Sequence, residues 1–242
     1  MRVVVFLLLS AAIAVSCKNE PYEDANLAVA GIVNHDSATS VAYKYSASRL
    51  YTFQAAKSGI ITSSMRFHYS GSQLISIAID STTASWKIDR FYGFGSSAVV
   101  DSTVAYTDST AVLFSVRTVT YDENGKPIAV NQKLYPATGM TEQNAQLTWE
   151  GDNVAQLMTI NAGTGDTTVN VTVGHDKKNC IYREGPDYIY TLSLQKLFWL
   201  SKNNPIQFNE KKYNFSYNKF DFPTTFRSEV NTQFGVTYTA VR

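Results

Sequence analysis

The feature that most constrains this chain is a period of two. Ile75, Ile77 and Ile79 alternate with Ser76, Ala78 and Asp80. Val112, Phe114 and Val116 alternate with Leu113, Ser115 and Arg117, and Val169, Val171 and Val173 with Thr168, Asn170 and Thr172. Tyr213, Phe215 and Tyr217 are set against Asn214 and Ser216, and Phe234, Val236 and Tyr238 against Gly235, Thr237 and Thr239. Alternation sends successive side chains to opposite faces, so each run reads as a half-buried strand. Polar turn clusters separate the runs: Ser70-Gly71-Ser72, Asp122-Glu123-Asn124-Gly125, Glu150-Gly151-Asp152-Asn153 and Gly163-Thr164-Gly165-Asp166. Strands joined by such short turns pair antiparallel. The expected fold is all-β, a curved antiparallel meander or half-barrel forming one domain over residues 39–242. With 44% apolar and 17% charged residues, the chain can bury a core of ordinary size.

A weak repeat runs through the pattern. Tyr45 is followed by Leu50 at +5 and Phe53 at +8, Tyr69 by Leu74 and Ile77, and Trp149 by Val154 and Leu157. Tyr121 begins a looser copy reaching Ile128, and Tyr217 another with Phe222 at +5. A four-residue turn puts the residues that flank it opposite each other, so the +5 step is a cross-strand pair contributing roughly 0.2–1 kcal/mol. A regular strand would put the +8 residue on the opposite face from the +5 residue, and a bulge is the candidate explanation. The uneven spacing of the copies argues for a meander with insertions over a solenoid.

One segment breaks the strand pattern. Ile189, Leu192, Lys196, Leu197 and Leu200 fall at helical spacings, Pro186 suits a first turn, and Ser201-Lys202-Asn203-Asn204-Pro205 ends the run. Tyr190, Leu194, Phe198 and Trp199 lie on other faces. The expectation is one buried helix near 187–200 against the concave side of the sheet, with a pair of buried strands as the alternative.

The N-terminus carries an address. Met1-Arg2 is a short basic start, and Val3 to Val15 is apolar but too short to span a bilayer. The run ends in Ala14-Val15-Ser16-Cys17, which resembles a bacterial lipobox with Ala14 where Leu is commonest. On that reading residues 1–16 are a signal peptide and Cys17 is the lipid attachment site. Two or three acyl chains then anchor the protein without a transmembrane helix. Residues 17–38 form a tether and lead-in, within which Leu27 to Val33 reads as a first edge strand. Lys18 after the cysteine fits outer-membrane sorting. Glu20, Glu23 and Asp24 loosely resemble the surface-export signals of Bacteroidota lipoproteins. The expected location is therefore the outer membrane, lipid-anchored, on its periplasmic side or at the cell surface. With Cys17 lipidated, Cys180 reads as a small buried apolar side chain.

Three stretches resemble a family of exported Bacteroidota lipoproteins of unknown function with Tyr-Asp-repeat-like β-hairpins. They are Phe67-His68-Tyr69-Ser70-Gly71-Ser72-Gln73-Leu74 with its cousin Leu147-Thr148-Trp149-Glu150-Gly151-Asp152-Asn153-Val154, then His175-Asp176-Lys177-Lys178-Asn179-Cys180, then Leu200-Ser201-Lys202-Asn203-Asn204-Pro205. The chain departs from the family at His175 and at Cys180, where a proline is usual. The resemblance implies a lipid-anchored curved sheet and assigns no catalytic residue.

The chemistry is sparse. Lys and Arg number 21 and Asp and Glu 20, so no basic surface for nucleic acid is expected. His35, His68 and His175 lack zinc spacing, and no nucleophile elbow, phosphate loop or cofactor motif is present. Asp101, Asp108, Asp122 and Asp152 are candidates for a glycosidase pair, but acids in turns are usually turn formers. The turns at 122–125 and 150–153 carry oxygen ligands suited to calcium without its loop spacing. The aromatics offer a stacking platform, with Tyr45, Tyr69 and Trp149 as its candidates among Tyr43, Tyr51, Phe53, Phe67, Phe91, Tyr92 and Phe94. The alternative is that a thin sheet needs large side chains to bury area. The leading expectation is a non-enzymatic envelope module that binds carbohydrate, lipid or protein, or serves structurally. The second is a carrier of a lipid or other apolar ligand in the concave face, which a large apolar cavity would favour. The third is a glycosidase-like enzyme.

Overall fold

The computed structural model describes residues 26–46, 49–82, 85–94, 99–107, 112–181, 189, 192–227 and 232–241. Residues 1–25, on which the expected signal peptide, Cys17 and the acidic patch fall, lie outside the described residues. The strands are β1 (Asn26–Asn34), β2 (Thr39–Ser46), β3 (Arg49–Lys57), β4 (Ile60–Ser70), β5 (Gln73–Ser81), β6 (Ser85–Phe94), β7 (Val99–Thr107), β8 (Leu113–Tyr121) and β9 (Pro127–Leu134). They continue as β10 (Thr141–Glu150), β11 (Asn153–Asn161), β12 (Thr167–Asn179), β13 (Asn203–Phe208), β14 (Lys211–Lys212), β15 (Asn214–Tyr217), β16 (Pro223–Arg227) and β17 (Gln233–Val241). All seventeen belong to one antiparallel sheet that curls into a nearly closed barrel. The all-β meander expected from the alternation is the observed architecture.

Closure happens at two places. β1 pairs with β2 on one side and with β17 on the other, Leu27 opposite Ala240 and Asn34 opposite Phe234. The stretch expected as an edge strand is therefore an interior one, and residues 26–38 belong to the barrel. The partner that covers it arrives some two hundred residues later. The second closure runs through β14 and β15, which follow one another across Tyr213. Lys211 and Lys212 pair with β13, Tyr213 N–H donates to Ile206 O at 2.8 Å, and Asn214 to Tyr217 pair with β16.

The inside of the barrel is apolar and the outside polar. Tyr43, Phe67, Leu147 and Val173 are buried, while the alternate residues Lys44, Arg66, His68, Gln146, Thr148 and Thr172 are exposed. A membrane-spanning barrel reverses this order, with apolar residues facing lipid and polar ones lining the lumen. Val154, Leu157 and Leu197 are fully buried, each worth about 1.5–3 kcal/mol relative to exposure.

Five hairpins share one irregularity, and it accounts for the repeat. Tyr45 is opposite Leu50 and Lys44 opposite Thr52, so Tyr51 is an extra, unpaired residue. Tyr69 is opposite Leu74 and His68 opposite Ser76, which leaves Ile75 extra, and Ala155 is extra in the same way after Trp149 faces Val154. Ile128 and Thr224 occupy the equivalent bulge positions opposite Tyr121 and Tyr217. One inserted residue restores the parity that the +8 spacing violates, so Leu50 and Phe53 both point inward. The bulged Tyr51 and Ile75 turn outward, 52% and 43% exposed. At the hairpin tips, Gly71 and Gly151 have φ of 57° and 55°, a left-handed conformation that only glycine adopts without cost.

The described residues between β12 and β13, namely Cys180, Ile181, Ile189 and Leu192–Ser201, fold into the barrel as a plug. The expected helix is there but shorter and tighter, a 3-10 helix over Leu194–Leu200, with Ile189 and Leu192 buried ahead of it. The side chains fall in three rows because residues three apart eclipse in a 3-10 turn, with Leu194 and Leu197 in the buried row and Gln195 and Lys196 exposed. The plug packs chiefly against β11 and β10.

Candidate functional site

The barrel has two rims. One carries the repeat hairpins, the first residue of β1 and the last of β17. The other carries the turns at 34–39 and 208–211, the last residue of β16 and the first of β17. The plug leaves β12 and rejoins β13 at the first rim, so that end is filled and the second keeps an open cavity.

The first rim is stitched. Tyr45 Oη donates to Val29 O at 2.8 Å, Tyr69 Oη to Leu50 O at 2.9 Å, and Trp149 Nε1 to Pro127 O at 2.8 Å. In the last two, the acceptor is the residue that pairs with the preceding copy's aromatic. Each ring is also covered by a cation from that preceding turn, Arg49 over Tyr69 at 5.5 Å and Lys126 over Trp149 at 5.7 Å. The same cations cap the tip glycines, Arg49 on Gly71 O and Lys126 on Gly151 O. The three residues expected as a stacking platform are thus ladder rungs packed against the core. Of the wider aromatic set, Tyr43 and Phe53 face the larger cavity described below, and Tyr51 and Phe67 line, with Tyr69, a smaller one of about 270 Å³.

Three of the stretches quoted for the resemblance, 147–154, 175–180 and 200–205, converge on the plug's two ends. Asn203 N–H donates to Asn153 Oδ1 at 2.9 Å while Asn153 Nδ2 donates to Asn203 Oδ1 at 3.0 Å. Lys202 N–H donates to Asp152 O at 3.0 Å and Cys180 N–H to Lys202 O at 3.0 Å. Asn179 Nδ2 reaches Phe220 O at 3.0 Å. Asp176 accepts from Tyr217 Oη, and Lys178 pairs with Asp221. Burial, and then this bond to Asp176, push the Tyr217 phenol well above its ordinary range. Cys180 is fully buried, its Sγ 3.6 Å from Trp199 O. These motifs tie the plug and the barrel seam together.

One pair within this knot has the composition of a nucleophile site. His175 Nε2 lies 2.9 Å from Ser201 Oγ. The hydroxyl donates to Phe198 O at 2.8 Å and accepts from Val154 N–H at 3.0 Å. With its one proton committed, Ser201 can only accept from His175, the reverse of an activated serine. Ser201 is 1% exposed, and burial lowers the His175 pKa. The pair is a structural bond held by a neutral imidazole.

The turn acids behave as turn formers. Asp122 Oδ1 accepts from the N–H groups of Asn124 at 2.9 Å and Lys126 at 2.8 Å, and the Lys126 bond leads the lowering of its pKa. Asp152 is held low by Lys126, with Lys202 second, at 3.0 and 3.5 Å. Asp101 lies on β7, and Asp108 is outside the described residues. Among the described residues, no group of three or more His, Cys, Asp or Glu is placed to hold a metal ion.

The cavity at the second rim has a volume of about 790 Å³, inside the range of about 300–1,000 Å³ typical of small-molecule sites. Its walls are Tyr43, Phe53, Phe208, Tyr213, Phe226 and Phe234 with Ile32 and Val41, and its floor is Ile181, Leu192, Phe198 and Trp199 of the plug. The rings fix one another: Phe226 stacks on Phe234 at 4.4 Å, Phe208 meets Tyr213 edge-on at 4.9 Å, and Phe198 lies 4.3 Å from Phe208. Asn34, Ser193, Lys196 and Thr232 supply the polar lining. Four of the six wall rings, Phe208, Tyr213, Phe226 and Phe234, come from the segment running from β13 to β17, and none of the four belongs to a copy of the repeat. Their signal was the inward parity of Tyr213, Phe215, Phe226 and Phe234 on neighbouring strands.

Arg117 fixes the plug from the side. Its Nη1 donates to Ile189 O at 2.7 Å and Leu192 O at 3.1 Å, and its Nη2 to Gln132 Oε1 at 2.9 Å. Burial brings its pKa down to about 10.

No family model matches the chain, and no curated protein does. Among solved structures, a porin-like protein from Bacteroides vulgatus ATCC 8482 aligns over 86% of this chain and 84% of its own, at 8% identity and a TM-score of 0.31. A likeness at that score carries no argument about what this barrel does.

Proposed function

We propose that this chain is an exported, lipid-anchored, non-enzymatic binding protein that holds an apolar small molecule at the open end of its plugged barrel. The observation that carries the reading is the aromatic cavity of about 790 Å³ above the plug. A sugar subsite needs hydrogen-bond partners along its length. Here the polar groups are few, and two of them, Asn34 and Thr232, sit at the rim turns. The cavity therefore favours the carrier over the carbohydrate module. Anchoring through Cys17 agrees with the polar outer wall, which needs water around it. From Cys17 to Asn26 is nine residues, a reach of at most about 30 Å. The tether joins the stitched rim, so the mouth faces away from the anchoring bilayer and takes its ligand from the aqueous side.

The test uses N-phenyl-1-naphthylamine, a neutral probe whose fluorescence rises in apolar sites. The expected result is saturable uptake of one probe per chain. Val41→Trp, which fills the cavity, and Thr232→Trp, which narrows its mouth, should each reduce uptake at least tenfold while leaving the circular-dichroism spectrum unchanged. Unsaturable binding, or full binding by both folded variants, contradicts the reading. Metabolic labelling with a palmitate analogue tests the anchor: label should enter the wild type and not Cys17→Ala.

A further inference from the structure

We infer that the ligand is an amphiphile with a carboxylate head, a fatty acid in chemical class, whose head pairs with Lys196; this rests on the cavity reading above. The lining has one charged group among its described residues, and it is a cation. Lys196 sits in the 3-10 helix of the plug, where its neighbours in sequence, Leu194 and Leu197, are buried beneath the helix while Lys196 is exposed. Lys196 makes no ion pair among the described residues. The lysines of the stitched rim differ, since Lys126 pairs with Asp152 and Lys178 with Asp221. A cationic head at the edge of an aromatic cavity, with Ser193 and Asn34 as further polar groups, is complementary to one anionic oxygen pair on a long apolar body. The tail would lie along the surface that the plug's Trp199 and the wall ring of Phe226 form together, their rings in contact with centroids 6.1 Å apart.

Displacement of N-phenyl-1-naphthylamine from the full chain separates the inference from its premise. Three single-chain ligands of equal tail length compete below their micelle concentrations: dodecanoate, dodecan-1-ol and dodecyltrimethylammonium. An exposed ion pair changes affinity by about threefold and the repulsive counterpart by about as much in the other direction, so the swing from attraction to repulsion is about tenfold. Dodecanoate should bind most tightly, the alcohol next and the ammonium about tenfold more weakly than the carboxylate at low salt. Lys196→Met, with each competition referred to its own naphthylamine affinity, should remove the order. Lys196→Glu should invert it. If the probe binds and all three ligands compete equally, or the order survives in Lys196→Met, the inference fails and the cavity reading stands. If the probe does not bind at all, both fail.

Discussion

Replacing Tyr69 by Phe isolates one rung of the ladder. The change removes a hydroxyl whose bond to Leu50 O is 2.9 Å long and half-buried, and leaves the ring in place. Arg49, 5.5 Å from the ring centroid, keeps its aromatic partner. What is lost is one neutral hydrogen bond, a net contribution of about 1 kcal/mol, with a range of roughly 0.5–1.5. For a domain of this size that corresponds to a melting temperature lower by about 2–4 °C. Tyr45→Phe removes the equivalent bond to Val29 O, 2.8 Å long, and should cost the same. Tyr51→Phe is the control, since the bulge turns Tyr51 to solvent at 52% exposure, and it should stay within about 0.5 kcal/mol of wild type. Tyr45 is opposite Leu50, whose carbonyl accepts from Tyr69. The double variant Tyr45→Phe/Tyr69→Phe should therefore deviate from additivity, as sites sharing a partner do. Urea unfolding at unchanged m-value measures all four. If Tyr51→Phe cost as much as Tyr69→Phe, the rungs would carry no more stability than any surface phenol, and the account of the repeat would be wrong.

Arg117→Met leaves Ile189 O and Leu192 O without their donor. The loss of about 1–3 kcal/mol per unsatisfied buried group outweighs the relief of removing a buried charge, so urea stability should fall and amide exchange around Leu192 should accelerate. Leu197→Ala empties a fully buried site beneath the cavity floor and should cost about 2–5 kcal/mol in the same denaturation assay. His175 is neutral in the fold, with its pKa lowered from 6.5 chiefly by burial. The unfolded chain then takes up the proton first, so stability is full above pH 6.5 and declines as pH falls through and below that value. His175→Gln should flatten that part of the pH–stability curve, measured by thermal melts between pH 8 and 5.

Much of this fold was legible because antiparallel hairpins are local. The pairs Tyr45–Leu50, Tyr69–Leu74 and Trp149–Val154 lie within six residues, and their turns announce themselves through Gly71 and Gly151. The bulge was visible only as a misfit at +8, because nothing in the composition of Tyr51 or Ile75 marks a residue that leaves the ladder. Around β8 the Val112-Phe114-Val116 alternation pointed to one face, yet the fully buried residue is Val119 on the other, and Arg117 on that same side reaches the plug's carbonyls. A charged residue on the inner face is readable only once the plug's carbonyls are known to be there. Non-local facts were out of reach for the same reason. That β1 is not an edge depends on β17, and that Ser201, Asn203 and His175 form one knot depends on where the plug returns. The cavity arises from inward rings on strands that close the barrel last.

The most direct measurement of the central claim is tryptophan fluorescence during titration with 1-bromooctane, whose bromine quenches indoles it touches. Trp199 forms part of the cavity floor, while Trp149 belongs to the stitched rim at the opposite end. The account predicts saturable quenching in the wild type that disappears in Trp199→Phe. Equal quenching in Trp199→Phe, or quenching that grows without saturation in both, would place the bromoalkane elsewhere and contradict it.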